Sequence, residues 1–348
     1  MTAAHLFIGT YTEPHPHVHG RAGGLVVADY DGTLGELHTV PVRSPSWLTL
    51  SPSGARLYCV IEAGSGDPGQ VAAFSRHGGS AVLEQVVPSG GYEPAHLAVD
   101  PSGRFLVVAN YADGSLAVLA LRSDGLLGSI THLEQLSGSG PHPVRQAGPH
   151  PHQVYFDPSG RMLVPDLGTD TLRSYSLDGE GRLTEEQRVE LPPGSGPRHA
   201  VLHPDGEHLF VVNELACTIA VFVRVGSSFE IDSVVSTIPA GAGGASFASA
   251  IAVTRNGGTV YASNRGHDSI AVFTWNGGLE PLQFEPSRGR TPRDFTLSPD
   301  GSLLHVANQD SDTVTTFVRD VEGRLAFRDE VAVPTPVCLV VAQDSLTA

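Results

Sequence analysis

The sequence predicts an all-β fold, a seven-bladed β-propeller of four-stranded antiparallel blades, on three observations. A Pro-Ser/Asp-Gly hairpin turn recurs at Pro52, Pro101, Pro158, Pro204 and Pro299, with a degenerate copy at Arg255-Asn256-Gly257. These markers are 44 to 57 residues apart, and each joins two short apolar runs, as Ala95 to Asp100 and Arg104 to Asn110 flank Pro101. The two ends of the chain read as complementary parts of one further unit. Internal repetition of this length, with four short strands per repeat, is the size of a propeller blade rather than of a helical solenoid repeat.

In chain order, His5 to Tyr11 reads as the second strand of a blade with no first strand before it, and Leu25 to Tyr30 as its third. Six marker units follow. Their first two strands flank the turn, runs such as Ser115 to Leu121 and Thr218 to Val223 supply the third, and more polar runs such as Ser129 to Leu136 the fourth. Val337 to Ala342 then reads as a first strand with nothing after it. Joined to the N-terminal strands it completes a seventh blade, and a ring closed this way hides the sheet edges that an open array would expose. Few stretches carry a helical period. No linker, charge run or change of pattern divides the chain, so residues 1–348 are read as a single domain.

Composition fits this fold and narrows the partners. Forty glycines and 26 prolines accompany 40% hydrophobic residues, so they serve as turn residues of a packed β fold rather than as signs of disorder. A net charge of −16 disfavours nucleic acid and anionic membranes as partners, and any anionic ligand needs a local basic cluster. All 21 basic residues are arginines, which excludes Schiff-base chemistry, a phosphate-loop lysine and a lysine base. Cys59, Cys217 and Cys338 lack metal-type spacing, and no signal segment or long apolar run occurs; a cytoplasmic protein is expected.

The blade frame locates a site. If the marker turns lie on one face of the ring, the start of each first strand and the end of each second strand lie on the other. Alignment on the marker glycines places Ser46, Ala95, His152, Arg198, Ser249, Arg293 and Val337 at the leading position, and Glu62, Tyr111, Gly168, Glu214, Arg265, Gln309 and Tyr11 at the trailing one. Four blades carry an asparagine just before the trailing position, Asn110, Asn213, Asn264 and Asn308, and repeated Asn reads as a turn-stabilising side chain. The two ring positions vary from blade to blade, as one asymmetric ligand would require.

Among them, Glu214 is expected to be partly buried, with desolvation raising its pKa toward the range of a general base or acid; the plainer alternative is an ion-pair partner for Arg198 or Arg265. His152 offers a neutral imidazole able to take a proton from water. Arg198 and Arg265 are candidates to stabilise an oxyanion, and Arg293 with His199 to hold an anionic group, while His96, Tyr111 and His150 complete the candidate binding set. Trp47, beside the same mouth, reads mainly as a packing residue. Two histidine-rich loops, His15, His17 and His19, and His142, His150 and His152, carry no recognisable ligand motif, so neither metal nor cofactor is expected. No Gly-x-Ser-x-Gly elbow is present, which argues against a serine nucleophile.

Gly148-Pro-His-Pro-His152-Gln, Gly196-Pro-Arg198-His199, Asn213-Glu214-Leu215, Ser263-Asn-Arg265-Gly-His267-Asp and Pro292-Arg293-Asp-Phe resemble, in order and at matching blade positions, the propeller-type lactonase family. That family includes bacterial 6-phosphogluconolactonases and the fungal carboxy-muconate lactonising enzyme. The resemblance implies His152, Arg198, Glu214 and Arg265 as the active set, a small anionic sugar lactone as ligand, and hydrolysis of 6-phospho-D-glucono-1,5-lactone. Two alternatives stand beside it: an intramolecular lyase forming a muconate lactone, and a non-catalytic interaction platform. The His15 to His19 loop and the Ser137 to Pro149 insertion depart from the phosphogluconolactonase pattern.

Overall fold

A computed structural model of the chain describes residues 4–15, 18–62, 64 and 66–343. Seven four-stranded antiparallel sheets form the ring. Blades 1 to 6 occupy residues 45–92, 94–135, 155–190, 197–236, 247–286 and 292–332, each with its strands paired in sequence order. Blade 7 takes its first strand from Pro336–Gln343 and the other three from Ala4–Thr10, Gly24–Tyr30 and Leu34–Pro41. Ala4 pairs with Gln343 and Gly9 with Cys338, the closure expected from the two chain ends.

Burial follows strand position within the blade. Second strands are buried along their length, as in Phe105–Asn110, whereas fourth strands such as Leu183–Glu190 alternate between buried or half-buried and exposed residues. The apolar side chains gather into seven main clusters, one at each junction between neighbouring blades. Phe7, Leu25, Leu57 and Phe74 fill the junction of blades 7 and 1, and Val107, Val118, Met162 and Tyr175 that of blades 2 and 3. Each blade is therefore stabilised by its two neighbours, with no core of its own.

Blade 3 is the irregular member. Its first strand is reduced to Tyr155–Phe156, preceded by a single Pro151–Asp166 bridge, because residues 137–149 loop out before it. Gly168 is obligatory here, since a Cβ would lie 1.9 Å from the Gly148 carbonyl oxygen. A short hairpin, Pro14–His15 with Val18–His19, is inserted between the second and third strands of blade 7. The described residues contain no α-helix, only a 3₁₀ turn at Gln309–Ser311.

Two backbone devices recur at the mouth opposite the marker turns. The first is a β-bulge: register shifts between Pro45 and Trp47, Pro94 and His96, Pro197 and His199, and Pro292 and Asp294 leave Ser46, Ala95, Arg198 and Arg293 without a partner on the facing strand. A bulge takes a residue out of the sheet's alternation and re-aims its side chain. The second is a left-handed residue two places earlier, at Ser44, Glu93, Gly196, Thr291 and Thr335, with φ between 35° and 61°. The carbonyl of each accepts the N–H of the trailing residue, Glu62, Tyr111, Glu214, Gln309 and Tyr11, at 2.7 to 3.2 Å. Leading and trailing residues of one blade are thus held side by side.

Candidate active site

A cavity of about 290 Å³ opens at this mouth, lined by Glu62, Glu93, Ala95, Tyr111, Arg145, His152, Glu214, Arg265 and Arg293. Its volume lies at the small-metabolite end of ligand pockets, which span roughly 300–1,000 Å³. Seven of the nine occupy the leading or trailing positions of the blade frame. The fold therefore brings residues from six blades and one inserted loop onto a single ligand-sized space.

Glu214 anchors the basic side. The end of strand His208–Asn213 delivers it to the cavity with only 2% of its side chain exposed. Oε2 pairs with Arg198 Nε at 3.1 Å and with Arg265 Nη2 at 2.6 Å, while Oε1 pairs with Arg145 Nη2 at 2.5 Å. Burial by itself would raise its carboxyl pKa, but Arg265, Arg145 and Arg198 overcome burial and hold the carboxyl well below the usual carboxylate range. This corrects the expectation of a raised pKa. Glu214 stays ionised at any pH near neutral and is poorly suited to accept or give a proton.

His152 behaves differently. Burial, followed by Arg198, Arg293 and Arg265, keeps its pKa well below the ordinary imidazole value, so it is neutral at pH 7. Its Nδ1 is buried and has no hydrogen-bond partner among the described residues, and the ring meets Tyr111 and His199 edge to face at 5.6 and 5.4 Å. A neutral imidazole lining a cavity beside guanidinium groups can accept a proton from water.

The remaining arginines are fixed by neutral acceptors as well as by charge. Arg198, pushed down to about 9 by burial and Arg265 yet still charged at neutral pH, donates Nη1 to the Ser249 carbonyl at 2.8 Å and to His199 Nε2 at 3.3 Å. Arg293 donates Nη2 to Tyr11 Oη at 3.2 Å and Nη1 to Gln309 Oε1 at 3.4 Å; Tyr11 Oη in turn donates to Glu62 Oε2 at 2.7 Å. Burial works against the charge on Arg293, but Tyr11 and Glu62 more than offset it. Three guanidinium groups around one carboxylate leave a positive excess around Glu214, while Glu62 and Glu93 make another part of the same cavity acidic.

Four expected site residues stand behind the cavity wall. Arg198 is reached from the cavity through Glu214. His96 and His199 form a buried aromatic cluster with Trp47, with ring centroids at 4.3 Å for Trp47–His96 and 5.2 Å for Trp47–His199. Burial keeps both imidazoles well below their ordinary pKa, a neutral state that suits packing better than anion binding. Trp47 lies against apolar residues of blades 1 and 2, as its packing role requires. His150 stacks on Tyr111 at 4.4 Å and donates Nδ1 to the Tyr111 carbonyl, which shapes the wall from outside. The four asparagines are fully buried scaffold: Asn110, Asn264 and Asn308 each donate to a backbone carbonyl and a hydroxyl, and Asn213 to Thr218 Oγ1.

Among the described residues, the histidines of the two loops form no group close enough to share an ion. His142 Nδ1 accepts the Val144 and Arg145 N–H groups, His15 lies beside Tyr11, and His17 falls outside the described residues. Among the described residues, the group close enough to share an ion is His203, Asp205 and His208, at the marker turn of blade 4 and away from the cavity.

Arg145 and Glu93 were missed by the sequence reading. Arg145 sits in the insertion before blade 3, where no blade template applies. Gln146, fully buried, staples that loop by donating Nε2 to the Leu167 carbonyl at 2.9 Å and to Asp170 Oδ1 at 2.7 Å. Glu93 was within reach of comparison between blades, being the charged member of a frame position that elsewhere holds Ser44, Gly196, Thr291 and Thr335.

Comparison with known proteins agrees with this architecture. The family described as "Lactonase, 7-bladed beta-propeller" matches residues 5–341. The chain is 34% identical to the 6-phosphogluconolactonase of Bacillus subtilis, over 96% of this chain and 97% of that one. It is 32% identical to the 6-phosphogluconolactonase of Formosa agariphila, over 92% and 94%. The solved structure of the periplasmic gluconolactonase of Pseudomonas aeruginosa superimposes with a TM-score of 0.90 at 31% identity, covering 98% of this chain and 99% of that one. The chain belongs to the seven-bladed β-propeller lactonase family and is a lactone-hydrolysing enzyme.

Proposed function

We propose that the chain hydrolyses 6-phospho-D-glucono-1,5-lactone to 6-phosphogluconate at this cavity. The observation that carries the reading is a neutral His152 sharing the cavity with an ionised Glu214 that pairs with two cavity-lining arginines, Arg145 and Arg265, and with Arg198 behind the wall. Water attacks the lactone carbonyl carbon while His152 takes one of its protons. The oxyanion that develops is met by Arg265, whose charge is set in place before reaction by its ion pair with Glu214. Collapse of the tetrahedral intermediate breaks the bond between the carbonyl carbon and the ring oxygen, and the imidazolium returns its proton to the departing alkoxide. The product is an open-chain carboxylic acid that ionises to the carboxylate.

Glu214 is assigned no proton transfer; it holds Arg198, Arg265 and Arg145 in register. Arg293, with Arg145 at the rim, is the pair suited to a phosphate, because a planar guanidinium binds its oxygens two at a time. The names of the relatives support the substrate, and the gathering of Arg145, Arg265 and Arg293 on one cavity in a chain of net charge −16 supports an anionic one. The same reading treats residues 1–348 as one domain. Buried, unbridged Cys59, Cys217 and Cys338 favour a reducing, cytoplasmic setting, and no helix among the described residues is long and apolar enough to cross a membrane.

The test follows freshly generated 6-phosphogluconolactone by coupling its product to 6-phosphogluconate dehydrogenase. Acceleration above the spontaneous rate is expected, with loss of roughly 10²-fold in His152→Gln. No acceleration by the wild-type protein would overturn the substrate assignment, and an unaffected His152→Gln would overturn the base.

A further inference from the structure

Five blades share the left-handed residue that precedes the leading proline, and what its side chain does differs in one of them. In blade 1, Ser44 Oγ accepts the N–H of Thr12 and its own N–H donates to Thr12 Oγ1, at 3.2 and 3.0 Å. In blade 6, Thr291 Oγ1 donates to Asp310 Oδ2 at 2.5 Å, and in blade 7 Thr335 Oγ1 accepts the N–H of Arg21 at 3.0 Å. Blade 4 uses Gly196, the residue that adopts φ 61° without strain. Where a side chain is present at this strained position, it fastens a loop. The exception is Glu93.

Glu93 holds φ 47° directly before Pro94, although the residue before a proline ordinarily favours an extended backbone. Its carbonyl does the common scaffold task of accepting the Tyr111 N–H at 3.1 Å, which a glycine would perform equally well. Its carboxylate makes no hydrogen bond and no ion pair among the described residues, and it lines the cavity beside Glu62. Half-burial and the neighbouring Glu62 raise its carboxyl pKa above the ordinary value, the sign of a carboxylate short of donors. A strained, partnerless carboxylate is maintained where the scaffold needs none.

We propose that Glu93 is a substrate-contacting specificity residue that accepts hydrogen bonds from the hydroxyl groups of a polyhydroxylated ligand. A carboxylate accepts from two neighbouring hydroxyls at once, and an oxygen-rich chain supplies the donors that the protein withholds. The cavity then divides its work: guanidinium groups take the anionic and carbonyl ends, and the acidic wall reads the hydroxylated carbons between them. This rests on the lactonase reading for its turnover assays, but the contact itself does not require turnover.

The experiment compares wild type, Glu93→Gln and Glu93→Gly on D-glucono-1,5-lactone and on δ-valerolactone, which has the same ring and no hydroxyls, and measures binding of D-gluconate by calorimetry. Both variants are expected to raise KM for gluconolactone by 10-fold or more while changing kcat/KM for δ-valerolactone less than 2-fold, since a charged hydrogen bond to substrate contributes roughly one to two decades. Glu93→Gly is also expected to raise Tm by about 1–2 °C by relaxing the backbone, so lost affinity cannot be laid to misfolding. Equal losses on both lactones, or no loss on either, would overturn the proposal. If the wild type turns over neither lactone, D-gluconate affinity that falls in both variants would sustain the contact while sinking the hydrolytic reading; absence of D-gluconate binding as well would sink both.

Discussion

The two faces of the ring are built from the same repeated strand pair and solve opposite problems. On the turn face, polar side chains close on their own backbone: Asp100 accepts the N–H groups of Ser102, Arg104 and Phe105, and Asp157 those of Ser159 and Arg161. These turns close within one blade, with cross-blade bonds such as His203 Nε2 to the Gly257 carbonyl at 3.2 Å added to them, and the blades resemble one another. On the mouth face, bulges turn Ser46, Ala95, Arg198 and Arg293 out of the sheet in four of the blades, and charges from different blades complete one another. Glu214 of blade 4 needs Arg265 of blade 5 and Arg145 of the inserted loop. Repetition marks the face that holds shape, and divergence marks the face that holds ligand.

That contrast breaks most sharply at Glu214. Glu214→Gln leaves three guanidinium groups crowded without their counter-charge, and a loss of about 3–5 kcal/mol in urea unfolding is expected together with loss of activity. Asp100→Ala, a local closure on the other face, should cost only about 1–2 kcal/mol and leave kcat/KM unaltered. Comparable losses from the two substitutions would remove the distinction between the faces.

Acid titration sharpens it. The folded-state pKa of Glu214 is depressed, so its stabilisation is fully present above the unfolded value of roughly 4.3 and disappears as pH falls toward the lower folded value. Asp294, one residue past Arg293, has the opposite sign: burial pushes it up to about 6, so the native state binds that proton more tightly and stability declines as pH rises from roughly 4 to 6. Asp294→Asn should flatten that decline by roughly 1–3 kcal/mol in unfolding free energy measured between pH 4 and 7. A decline unchanged in the variant would place its source elsewhere. Because His152 is neutral far below pH 6.5, the activity profile should show no acid limb near the ordinary imidazole pKa.

The smallest effect belongs to the turn face. Gly206 sits at φ 74° with open space where a Cβ would stand, so Gly206→Ala should cost about 1 kcal/mol through backbone strain alone and leave catalysis unchanged. A change in kcat/KM would show that the turn face communicates with the mouth.

The ring was legible because a propeller writes its geometry into the spacing of its turns, and closure followed from an unmatched strand at each end. Leading and trailing positions were legible for the same reason. Which candidate side chains reach the cavity was not: Arg198, at a leading position, stands behind Glu214, and His96 and His199 lie one residue beyond the bulge, where the side chain turns back toward Trp47. The sign of the Glu214 shift was hidden as well: it depends on how many arginines converge in space, and one of them, Arg145, comes from an insertion that no blade template covers. Glu93 required attention to an off-ring position whose strain only φ reveals.

Closure of blade 7 also sets a schedule for making the protein. Ala4–Thr10 is made well before its partner Pro336–Gln343, with some 325 residues between them. At roughly 5–20 residues per second that interval is about 15–65 s, during which blade 7 lacks its innermost strand and the junctions on both sides of it are incomplete. Trp47, Glu62, Glu214 and Arg293 are all translated before Pro336–Gln343 can bind, so the active-site mouth takes its final outline only once that strand is made, and a nascent chain stalled short of Pro336 presents an unsealed ring to the cell's quality-control machinery.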